Sequence, residues 1–336
     1  MIRRPWDWST EITSSEWSTG NRNFRNRLQN ACFEGIPAKQ RPIVWPKLIG
    51  NKLRITNDLF EILCAQVQLD NLETQSTGTM MTMDESDDGK PDDLEFADEE
   101  LHDETLFSRK SSTCLQIEVD LSRTFPELAF FSEEESPMRE WLRDILEAYS
   151  RFRPNISYVQ GMSHIAALLL LFMDRDLSFI CFCNVLHDHR FFGLVRMHDG
   201  SKIRRYFGFF DELLKEQVPI VHSHFERLGI TPDMYLVDWL LTILAKPLPL
   251  DVAARVWDCY IFYDTAQRRE RFLLRAIMGL LKHFTLQFKL LDFDSALTLL
   301  QNIPPTLNVN RYFQCISALS ITASRYEALI QSSECG

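Results

Sequence analysis

From residue 114 onward the chain repeats one pattern: apolar residues three and four apart, broken by short polar or proline- and glycine-containing stretches. That spacing predicts amphipathic helices. Residues 137–152 carry Pro137 at a first turn and apolar positions at 138, 141, 142, 145, 146 and 149. Residues 163–174 are apolar on every face, as expected of a central helix. Further helices are expected over 201–217, 219–229, 231–246, 250–264, 268–287, 292–302 and 309–331. Thr231 and Pro232 supply the cap and first residue of the third of these. Upstream, residues 56–72 have helical spacing behind Thr56 or Asn57. Residues 35–50 begin with Pro37 near a first turn, but Pro42 and Pro46 each remove a backbone donor, which predicts a bend or break. No Asn-Gly or Asp-Gly pair joins two alternating runs. The pattern defines an all-α protein.

One segment interrupts it. Residues 73–112 are rich in Ser, Thr and Met and then strongly acidic, the composition of a disordered insertion. Residues 84–104 hold twelve acids and one lysine. Removing them from a chain of net charge −11 leaves 35 acids against 35 bases, so the folded part is close to neutral. It lacks the basic footprint that nucleic-acid binding needs. The first 34 residues are polar with Trp6, Trp8 and Trp17 interspersed, and residues 21–33 predict a short basic helix, expected to pack on the domain as a lead-in, with contact to an anionic membrane as the alternative. Residues 332–336 form a tail.

Eight scattered cysteines with no C-x-x-C pair, and an N-terminus without an apolar h-region, fit a reducing, cytoplasmic setting. The longest apolar run, residues 165–173, is far shorter than the roughly 20 residues that span a bilayer. No transmembrane segment is expected, and any membrane association would be peripheral.

The common catalytic signatures are absent. There is no G-x-x-x-x-G-K-[ST], no G-x-S-x-G and no H-E-x-x-H. His187 and His189, like His222 and His224, are two apart, which puts each pair on different helix faces, so no metal site is expected. What stands out instead are polar residues inside apolar stretches. Arg41 precedes Trp45 by four positions. Asp120 precedes Arg123 by three inside "IEVDLSRTFPELAFF", and so shares its helix face. Tyr158, Gln160 and Gly161 stand just before the most apolar helix. Singly, each has an ordinary structural explanation.

Together they form R-x-x-x-W (Arg41, Trp45), I-x-x-D-x-x-R (Ile117, Asp120, Arg123) and Y-x-Q-G (Tyr158, Gln160, Gly161), in that order. This combination resembles the TBC domain, the all-helical GTPase-activating module for Rab GTPases. The resemblance covers residues 35–331, interrupted by 73–112. It is strongest to the subgroup of TBC1 domain family members twelve and fourteen. It implies a TBC-like fold of two packed helical subdomains with the acidic insertion between motifs.

The resemblance also implies a mechanism. Arg123 matches an arginine finger and Gln160 a glutamine finger, both supplied in trans to a GTP-bound Rab GTPase. The chain would be an enzyme activator rather than an enzyme, with no cofactor of its own, since GTP and Mg²⁺ belong to the partner. Asp120 would hold an arginine still, either Arg123 or Arg41, by a charge-assisted hydrogen bond. Arg41 would then brace the finger loop. Tyr158 and Trp45 would pack beneath the fingers, and Gly161 would let the GTPase backbone approach. Regulation of vesicle trafficking, with recruitment to endosomal, autophagic or Golgi membranes, follows from the same resemblance. A non-catalytic Rab-binding or adaptor module is the alternative that the fold leaves open.

Overall fold

A computed structural model of the chain describes residues 6–19, 21–80, 113–156, 158–196 and 200–334. All regular structure among these residues is helical. The chain forms two compact units: a middle unit of residues 54–170 and 174–180, and a flanking unit of residues 1–53, 171–173 and 181–336.

The middle unit is built around the helix Met162–Leu170, in which all nine residues are buried, as its uniform apolarity predicts. The helix Pro137–Phe152 packs on it and also on the helix Asn57–Met80. Its buried set, Leu142, Ile145, Leu146 and Tyr149, follows the three-and-four spacing read from the sequence. Each such side chain, once buried, stabilises by about 1.5–3 kcal/mol. Phe60 stacks on Phe179 with ring centroids 4.3 Å apart. Arg175 covers the Phe60 ring and ties Asp144 at 3.0 Å and Glu61. The helix from Asn57 continues to Met80, eight residues into the stretch whose composition predicts disorder. The rest of that stretch, 81–112, lies outside the described residues.

In the flanking unit, the helix Ala266–His283 packs against Val309–Ser317 and Leu250–Tyr260. Gly279 sets the first of these crossings: a Cβ there would lie 2.7 Å from Ile316 Cγ1 and 3.2 Å from the Ile316 backbone nitrogen. The helix Arg22–Glu34 buries Phe24, Leu28, Ala31 and Cys32 and lies against Leu250–Tyr260. It therefore packs as a lead-in helix, and Arg25 and Arg27 pair with Asp264 and Glu11.

Three expectations change. The helix Arg41–Ile49 runs unbroken through Pro46. Pro42 sits in its first turn, where the N–H has no helical partner to lose, so one internal hydrogen bond is missing rather than two. The helix expected over 231–246 is a 3-10 turn, Pro232–Met234, followed by a short helix, Leu236–Leu241. It stops because Ile243 and Leu244 take positive φ values of 51° and 60°. The amide of Leu244 then turns back to the Trp239 carbonyl at 2.8 Å. Trp257 holds the Ile243 carbonyl at 3.1 Å. The segment 309–331 splits into Val309–Ser317 and Ala323–Glu334. Across the break, Arg275 and Arg271 donate to the carbonyls of Ile316 and Ile321.

Among the described residues seven cysteines are free thiols, and no helix is long and apolar enough to cross a membrane.

Candidate functional site

Residues 113–122 form one helical stretch, ending in a turn at Arg123. Ile117, Asp120, Leu121 and Thr124 face inward at helical spacing and are buried, while Val119 and Arg123 face solvent. The outer flank is fixed as well. Glu118 accepts from Arg139 at 2.8 Å and from Arg143, both on the helix Pro137–Phe152. Partial burial pushes the Glu118 carboxyl up, but these two guanidinium groups hold it below its ordinary value. Arg139 also donates to the Phe131 carbonyl at 2.8 Å, which secures the loop after the turn. In that loop Phe125 is buried at φ 44°, and Pro126 opens a 3-10 turn, Pro126–Leu128.

Asp120 is the centre of the site. Its side chain is 2% exposed. One oxygen, Oδ1, accepts from Arg123 Nε at 2.6 Å and from Arg123 Nη2. The other, Oδ2, accepts from the Tyr158 phenol and from the Gly161 amide at 3.2 Å. A single buried carboxylate thus receives four donors from two chain segments, satisfying it without water. Burial, reinforced by the Asp120 charge, pushes the Tyr158 phenol far above its ordinary pKa, so it remains a donor at any working pH.

Gln160 stands between Tyr158 and Gly161 and is exposed, while both neighbours are buried. Gly161 has φ 97°, a conformation that side chains with a Cβ rarely adopt. That φ aims the Gly161 amide at Asp120 and leaves Gln160 at the tip of the turn. Arg123 is likewise outward, with half its side chain accessible. The structure therefore brings Asp120, Arg123, Tyr158, Gln160 and Gly161 together within the middle unit.

Arg41 and Trp45 belong to the flanking unit, and the expectations for them are corrected. Arg41 does not pair with Asp120. It donates to Asp258 from Nε at 3.1 Å and from Nη2 at 3.0 Å. Trp45 does not pack under the fingers either: its indole donates to Asp258 at 2.7 Å and its ring stacks on Trp257 and meets Phe172 edge-on. The amide of Ile36 completes the set at 2.8 Å. Asp258 has no exposed surface, and burial pushes its carboxyl up while Arg41, Ile36 and Trp45 pull it back. The R-x-x-x-W motif is thus a clamp on a buried acid.

Sequence reasoning missed Asp258, Thr124 and Ser163. The signal for Asp258 was present: one acid inside the apolar run "VAARVWDCYIF" demands partners. Ser163, a small polar residue near the start of a mostly apolar helix, gave a fainter one. Three of the four paired histidines have separate partners, and His187 is exposed. His189 Nε2 lies 2.7 Å from the Leu240 carbonyl, and burial lowers its pKa to about 4, so the ring is neutral and donates there. His222 meets Asp211, and His224 meets the Leu291 carbonyl.

Arg123 and the turn that carries Gln160 are thus held on one buried carboxylate in an all-helical fold. Residues 38–289 match the Rab-GTPase-TBC domain, and the chain belongs to that family. It is 33% identical over 314 residues to TBC1 domain family member 14 of Bos taurus, covering 94% of this chain and 42% of that protein. It is also 33% identical over 317 residues to TBC1 domain family member 12 of Xenopus tropicalis, with the same coverage. The chain thus spans less than half the length of these relatives. Among solved structures it resembles the Ypt/Rab-GAP domain of Gyp1p, with a TM-score of 0.62 at 18% identity over 97% of this chain and 100% of that one. It also resembles the Chlamydomonas flagellar RabGAP TBC domain, with a TM-score of 0.62 at 20% identity over 88% of this chain and 84% of that one.

Proposed function

We propose that this chain accelerates GTP hydrolysis by a GTP-bound Rab GTPase, with Arg123 and Gln160 acting in trans on the nucleotide and Mg²⁺ that the partner carries. The observation that carries the reading is the double grip of Asp120, on Arg123 by one oxygen and on the Tyr158–Gly161 turn by the other. The exposed Arg123 side chain and the turn that carries the exposed Gln160 thereby share one buried pivot.

Phosphoryl transfer passes through a loose transition state whose charge spreads over phosphate oxygens, so catalysis is positioning and electrostatics. A guanidinium is permanently charged and planar. Arg123 uses Nε and Nη2 on Asp120, which leaves its outer edge for the developing charge. An arginine finger contributes about 10³–10⁵ in rate, or roughly 4–7 kcal/mol of barrier. Gln160 would orient the attacking water through its amide. The chain acts on this reading as an activator, with no turnover of its own. Its place would be vesicle trafficking, with peripheral recruitment to endosomal or autophagic membranes.

Single-turnover GTP hydrolysis by a panel of GTP-loaded Rab GTPases, with and without the chain, tests the reading. Acceleration of at least one by 10³-fold or more is the expected outcome. Binding to GTP-loaded Rab without acceleration would replace it with the non-catalytic adaptor.

A further inference from the structure

Beneath the two exposed side chains lies a second set of contacts that the Asp120 carboxylate does not explain. Thr124 directly follows Arg123, and Ser163 lies three residues after Gln160. Both are wholly buried, and their hydroxyls meet at 2.8 Å. The Thr124 hydroxyl also lies 2.6 Å from the Asp120 backbone carbonyl. A carbonyl only accepts, so the Thr124 proton goes there and Ser163 donates to Thr124. Ser163 Oγ also lies 3.4 Å from His164 Nδ1. The contacts run in one line: Ser163 hydroxyl, Thr124 hydroxyl, Asp120 carbonyl.

We propose that the Thr124–Ser163 hydroxyl pair is a positioning element that fixes the spacing between the Arg123 turn and the Gln160 turn. This rests on the activator reading and extends it to two residues that touch neither substrate nor nucleotide. The physical need is clear. Asp120 holds Arg123 by its side chain, but that contact lets the backbone after Arg123 pivot. Thr124 removes the pivot by bonding both the Asp120 carbonyl and the helix that follows Gln160. Each turn is then held on both sides of its exposed residue. Apolar packing alone would not supply this, since dispersion contacts between side chains are not directional in the way a hydrogen bond is. A displacement of about 1 Å at such a site costs on the order of 10²-fold in rate.

The test uses the full chain and a Rab GTPase that the wild type accelerates. Thr124→Val removes the hydroxyl at constant shape, Ser163→Ala removes its partner, and Thr124→Ser keeps the hydroxyl. Thr124→Val and Ser163→Ala are expected to lower kcat about tenfold to a hundredfold with KM within twofold, and Thr124→Ser to retain wild-type kcat. Hydrogen exchange at the Gly161 amide reads the same spacing without turnover, and faster exchange is expected in Ser163→Ala. Wild-type kcat and unchanged Gly161 exchange in Ser163→Ala would overturn the proposal while leaving the activator reading intact. Unfolding of both Thr124→Val and Ser163→Ala would overturn it too, by making the pair a requirement of the fold. A wild type that accelerates no GTPase removes the activator reading itself, and the proposal falls with it.

Discussion

Asp120 and Arg123 stand three residues apart, and their side chains meet at 2.6 Å with the carboxylate buried and the guanidinium half accessible. The pair is therefore neither a buried salt bridge nor a surface one. Its acid is locked by two further donors, and its base is free on the outer side.

Asp120→Ala should damage both stability and activity. It strands the Tyr158 phenol and the Gly161 amide in a buried site, at about 1–3 kcal/mol for each unsatisfied group. It also frees Arg123 to wander. Urea unfolding is expected to show a loss of about 2–6 kcal/mol, with hydrolysis slowed at least tenfold. Full activity at full stability in this variant would remove Asp120 from the account.

Asp258→Ala isolates the other clamp. It leaves the Arg41 guanidinium, the Trp45 indole and the Ile36 amide facing an apolar space. Breaking a buried pair from one side costs about 3–5 kcal/mol. Chemical denaturation should show that loss, and wild-type stability would mean that the clamp contributes nothing. Gly279→Ala offers a second check on the same unit. Its new methyl would meet Ile316 side chain and backbone together, so a loss of about 1–3 kcal/mol is expected in the same measurement.

Gly161→Ala probes the turn that carries Gln160. At φ 97° a Cβ is strained by roughly 1–2 kcal/mol, and the backbone relieves it by rotating. Rotation pulls the amide off Asp120 and moves Gln160. The expected result is a fall in kcat larger than the fall in stability implies, measured by single-turnover hydrolysis beside a thermal melt.

Glu147, on the helix Pro137–Phe152, has its carboxyl raised to about 7 by burial. A carboxyl raised in the folded state binds its proton more tightly there than in the unfolded chain. Its contribution is then fully present below the unfolded value, about 4.3, and is lost as the pH rises through about 7. Glu147→Gln should match the wild type near pH 4 and exceed it in melting temperature at pH 8. Parallel melting curves across that range would contradict the shift.

Helix placement was legible in the sequence because three-and-four spacing reports directly on which face is buried. Pro137 and the apolar stretch at 163–174 gave their helices within a residue or so at the start. Helix ends were less legible. The stop at Leu241 depends on two non-glycine residues in a left-handed conformation, which spacing does not encode. The Asp120–Arg123 contact was legible because it is local. The Arg41 partner was not, since Asp258 lies 217 residues further on and only the tertiary fold brings them together. The i+3 spacing made Asp120 a partner for Arg123, the motif resemblance left Arg41 open as well, and the geometry assigns Asp120 to Arg123.

The most direct test of the central claim compares Arg123→Ala and Gln160→Ala with the wild type on one responsive Rab GTPase, with thermal melts alongside. Both side chains are exposed, so both variants should fold, although Arg123→Ala leaves the buried Asp120 carboxylate without its cation. The account predicts a fall in kcat of about 10³-fold or more for Arg123→Ala, with a lowered melting temperature but a cooperative transition, and a large fall for Gln160→Ala, with the melting temperature little changed. Wild-type hydrolysis rates in either variant would contradict it.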